Sequence, residues 1–171
     1  MTAPSLWFER KFTFDIPVER APTVLERLRG TPARIEERTG SLAPDVLTRR
    51  TGEHWSVQEQ VGHLLDLEDL WYDRLDDFDA GGATLRPADL KNRRTHDANH
   101  NARALADLLR EFRAARSRFI ARLDAYPADA WSRTALHPRL QQPMRLIDHA
   151  FFVAEHDDHH MALISWLLKQ S

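Results

Sequence analysis

The sequence predicts an all-α fold, a four-helix bundle with at most a short extended N-terminal arm. Three observations carry that expectation. Four long segments place their apolar residues at helical spacing, strand signals are scarce, and the connections between segments are of moderate length. The chain has 171 residues, 42% hydrophobic and 29% charged, which suits one globular domain over 1–171 and is too apolar for a disordered chain.

The elements follow in order. Phe12-Thr13-Phe14-Asp15-Ile16 alternates apolar and polar, as a short strand or an extended arm would. The first helical segment covers Val18 to Thr39, with Val24, Leu25, Leu28 and Ile35 as its apolar line. Gly30 and Pro32 interrupt it, and Thr31-Pro32 reads as a restart, so a kink or two pieces is expected. The second begins at a capping box, Ser56-Val57-Gln58-Glu59, in which Ser56 accepts from the Glu59 amide and Glu59 reaches back. Val57, Val61, Leu64, Trp71 and Leu75 form its core face, and Gly81-Gly82 ends it. The third runs from about Asp97 to Asp124 on Leu105, Leu108, Phe112, Phe119, Ile120 and Leu123. The fourth begins near Pro143 and runs almost to Ser171, after a loop from Tyr126 to Gln142.

Composition excludes several functions. With 24 Lys plus Arg against 26 Asp plus Glu, the net charge of -2 argues against a general nucleic-acid binder. The absence of cysteine removes disulfides, thiolate metal sites and cysteine nucleophiles. The longest nearly apolar run, Met161 to Leu168, is too short for a membrane span, and the N-terminal residues lack a basic stretch followed by an apolar one; the cytoplasm is the expected compartment.

Nine histidines remain to be explained, five of them between His137 and His160. On the fourth helix His149, Val153, His156, His160, Leu163 and Leu167 fall within roughly 40° of one line, a buried face carrying three imidazoles. His156 and His160 are an i, i+4 pair, about 6 Å apart along the axis, and can converge on one metal ion. No His, Asp, Glu or Cys follows His160, so a third ligand must come from upstream. His63 lies about 120° from the core face of the second helix, on a second stripe with Gln60, Leu67 and Leu70. His63, His156 and His160 are therefore the expected metal ligands, with zinc or nickel favoured and iron or copper also compatible with imidazole. His96 and His100 lie opposite the apolar line of the third segment and are expected in solvent. His54 reads as a turn residue and His159, about 80° off the stripe, as a flanking one. His149 either lines the pocket or is a core histidine. Arg139, in the last loop after His137-Pro138, is a candidate for an anionic substrate. Glu59 is a candidate base, or only the capping residue. Glu68, on an apolar face, must be paired with an imidazole or an arginine.

The run Trp55-Ser56-Val57-Gln58-Glu59-Gln60-Val61-Gly62-His63-Leu64 and the His156-Asp157-Asp158-His159-His160 motif 93 residues beyond His63 resemble the DinB/YfiT-like superfamily, over about Leu25 to Leu168. The resemblance implies a four-helix bundle with a divalent metal on three histidines, matching His63, His156 and His160. Its characterised members include transferases using bacillithiol, mycothiol or glutathione, and a thiol-dependent maleylpyruvate isomerase. Three functions stand as expectations. The first is a small-thiol-dependent S-transferase using an external low-molecular-weight thiol. The second is a metal-dependent hydrolase of a small ester, amide or lactone; His156-Asp157-x-x-His160 resembles the H-E-x-x-H zinc helix with Asp for Glu. The third is a non-catalytic, stress-related metal-binding bundle. A small-molecule substrate and a homodimer, with the Phe12-Phe14-Ile16 arm contributing, complete the expected partners; nucleic acid and membrane are not expected.

Overall fold

In the computed structural model, which describes residues 2–170, four long helices form the bundle. They are α1 (Ala21–Thr39), α3 (Val57–Asp79), α5 (Leu105–Asp124) and α6 (Leu146–Leu167). Two single-turn helices, α2 (Pro44–Thr48) and α4 (Arg93–Asp97), and a hairpin of β1 (Thr134–His137) and β2 (Gln142–Arg145) lie between them. The largest helix contacts pair α3 with α5 and α6, and α1 with α5 and α6. The order around the bundle is thus α1–α5–α3–α6, and α3 lies diagonally across from α1. No helix among the described residues is long and apolar enough to cross a membrane.

The α3 start forms as its capping box requires: the Glu59 amide donates to Ser56 Oγ at 3.1 Å and the Ser56 amide to Glu59 Oε2 at 2.8 Å. Val57, Val61, Leu64, Trp71 and Leu75 are all buried, as their spacing predicts.

α1 departs from expectation. It is one continuous helix from Ala21, preceded by a 3-10 turn at Val18–Arg20, and Pro32 lies inside it. Proline lacks the N–H that would bond the Leu28 carbonyl. Arg116 of α5 supplies the missing donor, Nη1 to Leu28 O at 3.3 Å. The same guanidinium, 1% exposed, bonds Glu68 of α3 (Nη2–Oε1 2.6 Å) and Asp157 of α6 (Nη2–Oδ1 3.0 Å), and Thr31 of α1 donates to Asp157 at 2.8 Å. Glu68 is thereby paired with an arginine, and one buried ionic cluster ties all four long helices together.

The third segment starts later than the sequence suggests. Asn92 and Asn99 take left-handed backbone (φ 49° and 48°), a conformation asparagine tolerates better than most residues. They split 93–104 into α4, a 3-10 turn at His100–Ala102 and an extended lead into α5. His100 consequently turns inward and is 1% exposed, not solvated; His96 is exposed as expected. α6 likewise starts at Leu146 because Gln142–Arg145 pair with β1, a hairpin too short to show period-2 alternation.

Phe12–Ile16 forms no strand. It is an extended arm whose Phe12, Phe14 and Ile16, with Trp7, pack on the core cluster of Phe152 and its neighbours. Arg145 fastens it, donating to the Ile16 carbonyl at 2.8 Å.

Candidate metal centre

His63 on α3 and His156 and His160 on α6 meet inside the bundle. Each offers one ring nitrogen, and the three nitrogens lie within 4.8 Å of one another. Ring centroids stand 4.4 Å (His156–His160), 4.7 Å (His63–His160) and 5.4 Å (His63–His156) apart. All three residues are at most 5% exposed.

The surrounding hydrogen bonds fix which nitrogen of two of the rings faces the centre. Thr95 Oγ1 donates its one proton to Asp66 Oδ2 at 2.8 Å, so at 3.0 Å it accepts from His63 Nδ1–H, leaving His63 Nε2 a bare lone pair. Gln60 Oε1 accepts from His160 Nδ1–H at 2.6 Å, leaving His160 Nε2 bare. His156 Nε2 lies 3.1 Å from that atom, and its own Nδ1 is buried without a hydrogen-bond partner among the described residues. A tetrahedral ion 2.0–2.1 Å from each ligand holds them about 3.4 Å apart. Three neutral nitrogen donors at this spacing fit a divalent cation, which would give the converging lone pairs the partner they lack.

Electrostatics keep the rings in their ligating form. Burial lowers the His63 pKa to about 4 and places those of His156 and His160 well below the usual imidazole value. Behind His63, Asp66 is the anionic end of the relay. Burial raises its pKa, but bonds from His100 (Nε2–Oδ2 2.8 Å) and Thr95, with the nearby Arg94 charge, hold it below the ordinary carboxylate range. His100 can reach Asp66 only because residue 62 is glycine. A Cβ there would lie 2.3 Å from the His100 ring.

The three histidines line one wall of a cavity of about 510 Å³. Trp7 covers His156 edge-on (centroids 4.9 Å) and Trp55 packs on His63 (4.8 Å). Leu67, Trp71 and Phe152 continue the apolar lining, and His159 lines it as well. Arg139 lines the same cavity.

Two other candidates lie elsewhere. His149 is fully buried in the core, Nε2–H donating to the Trp71 carbonyl at 3.1 Å, and does not line the cavity; of its two expected places it takes the core one. Glu59 also stays away from the cavity. Its carboxylate is engaged by the Ser56 amide and by two guanidinium nitrogens of Arg50, Nε at 2.9 Å and Nη2. Burial raises its pKa, and Arg50 and Ser56 lower it further than that, so it is ionised and caps α3 away from the cavity. Gln60, Thr95, Asp66 and His100 were not assigned to the site from sequence. The traceable signal is helical: Gln60 and Asp66 lie three residues either side of His63, on its face.

Comparison with known proteins agrees with this architecture. The DinB superfamily pattern matches residues 27–164. Among solved structures, YfiT from Bacillus subtilis, a probable metal-dependent hydrolase with an unusual four-helix bundle topology, superposes with a TM-score of 0.83 at 21% identity, covering 95% of this chain and 93% of that one. No functionally curated protein matches in sequence. The chain belongs to the DinB superfamily, with the four-helix topology also seen in YfiT.

Proposed function

We propose that the protein is a metal-dependent hydrolase of a small ester, amide or lactone, with His63, His156 and His160 as the ligands. The observation that carries the reading is the convergence of three neutral, buried imidazoles on the wall of an accessible apolar cavity, with no carboxylate or thiolate among them. Such a donor set leaves a divalent charge uncompensated and a coordination position free, unlike a closed structural site. A divalent cation held there supplies Lewis acidity, polarising a carbonyl and acidifying water. YfiT, of like fold, is described as a probable metal-dependent hydrolase, which agrees with this reading.

The chain's own residues do the rest. Gln60 and Thr95 fix the tautomers of His160 and His63, so their Nε2 atoms stay unprotonated and aimed. Trp7, Trp55, Trp71 and Phe152 exclude water from the substrate's apolar part. His159 lines the cavity beside His160; burial, with Arg10 nearby, lowers its pKa to about 4, so its ring is neutral and serves as a proton acceptor.

A second reading, transfer of an external small thiol to an electrophile, is favoured by the cavity's volume, which exceeds a small ester's and has room for a second molecule. The test is turnover of a panel of small esters, amides and lactones by protein loaded with zinc or nickel. Turnover lost on chelation and absent in His160→Ala is expected. Turnover only with added thiol and electrophile moves the assignment to the transferase. No metal-dependent turnover in either format overturns both.

A further inference from the structure

The cavity has a second polar cluster, away from the three ligating histidines, built from Arg74, His137 and Arg139. Its hydrogen bonds do not close. The Leu140 amide donates to His137 Nδ1 at 3.1 Å, so in the neutral ring the proton is on Nε2. That Nε2–H faces Arg74 Nη1 at 3.5 Å, and both groups are donors. Arg139 Nη2 is buried with no hydrogen-bond partner among the described residues. Three donors therefore share this end of the cavity, and among the described residues no acceptor serves the His137 Nε2–H, the Arg74 Nη1 that faces it or Arg139 Nη2.

Charge tells the same story. Arg74 is 1% exposed, yet among the described residues it pairs with no carboxylate; its Nε bonds only the Arg86 carbonyl, at 3.1 Å. The acid whose charge reaches it, Asp77, is taken by Arg86 through Nε and Nη2. The carboxylates that line the cavity, Glu9 and Asp89, are exposed, and Asp89 bonds Arg93. Burial lowers the Arg74 pKa to about 10, and burial with the two neighbouring guanidiniums lowers that of His137 to about 3. A buried cation without a partner is costly unless an anion joins it.

The placement relative to the metal centre sets the ligand's length. His63 and Arg74 are eleven residues apart on α3, three turns and the same face, with roughly 16 Å between their Cα atoms. Leu67 and Trp71 lie between them, and the Arg74 guanidinium leans back over the Trp71 ring at 5.5 Å.

The geometry points to a carboxylate-binding subsite formed by Arg74, His137 and Arg139, which takes the acid end of an elongated organic acid whose apolar middle lies along Leu67 and Trp71. This deepens the function proposed above and rests on it for the identity of the reacting end. A planar carboxylate matches guanidinium donors geometrically as a neutral amide does not.

The test is calorimetric titration with 4-phenylbutyrate and with its neutral amide. Chelated protein is used, so that a carboxylate cannot gain affinity from a metal and the result stands whether or not the protein turns over any substrate. The acid is expected to bind at least tenfold tighter than the amide. Arg139→Gln, a half-buried position, is expected to cut that preference at least fivefold, with Arg139→Lys keeping part of it. Arg74→Met, if its circular dichroism matches wild type, abolishes the preference. Equal binding of acid and amide, or an unchanged preference in Arg139→Gln, overturns the subsite. Inorganic phosphate binding tighter than the acid overturns its assignment to carboxylates.

Discussion

His156 Nε2 and His160 Nε2 stand 3.1 Å apart, one helical turn from each other, and the second is a bare lone pair because Gln60 takes the proton on the other side of that ring. With the His156 proton on Nδ1, which no hydrogen bond holds among the described residues, the two Nε2 lone pairs face each other and a shared cation offsets their repulsion. One divalent ion per chain is therefore expected by elemental analysis, and His63→Ala, His156→Ala and His160→Ala should each lower affinity at least a hundredfold by titration calorimetry. At a hundred times Kd, bound metal adds about 2.7 kcal/mol. In a domain of this size that raises Tm by about 5–10 °C. An unchanged Tm on chelation would rule out a bound ion in the native protein.

The groups behind the ligands carry a separate expectation. Partners of ligating imidazoles are worth 10–100-fold in metal affinity. Gln60→Leu and Asp66→Asn should lose affinity in that range while the far-ultraviolet dichroism stays unchanged. Gly62→Ala should do likewise although it offers no ligand atom, since the new Cβ would push His100 off Asp66. Full affinity in Gly62→Ala would show that the His100–Asp66–Thr95 relay is dispensable.

How much of this was legible in sequence depends on the range of the interaction. The α3 cap and core face were readable because both are encoded within a few consecutive residues. The meeting of His63, His156 and His160 was readable because a polar group on a buried stripe is conspicuous by periodicity alone. Pro32 misled because its compensation is non-local: Arg116, 84 positions away, supplies the lost hydrogen bond. His100 misled because an apolar line was extended backwards through Asn99, whose left-handed backbone redirects the chain. The cluster of Arg74, His137 and Arg139 joins a helix to a hairpin that carried no strand signal.

Arg116 lies between Glu68 and Asp157, all three at most 2% exposed. Removing the arginine leaves two buried carboxylates facing each other, and breaking such a pair costs about 3–5 kcal/mol. Arg116→Met should lower Tm by at least about 6 °C at pH 7. Because Asp157 follows His156 directly, metal affinity should fall too. In the Glu68→Gln, Asp157→Asn background, where no buried charge is orphaned, the same substitution should cost much less. Equal losses in both backgrounds would show that packing, not charge, sets the cost.

Acid stability follows from the buried imidazoles. His63 titrates at about 4, and His137 and His149 at about 3, in each case chiefly because burial disfavours the cation. The unfolded chain protonates these rings near 6.5. Between pH 6.5 and about 4 the unfolded state therefore binds more protons than the native one, so stability rises with pH across that window and falls as pH drops through it. Above 6.5 both states are neutral and the term vanishes. Chelated protein should show a Tm that is flat in this respect from pH 7 to 8 and declines steadily from 6.5 to 4. His149→Gln keeps a donor for the Trp71 carbonyl but removes one titrating ring, so its decline should be shallower. A slope identical to wild type would mean that His149 is already protonated in the native core, or that the unfolded chain holds it neutral.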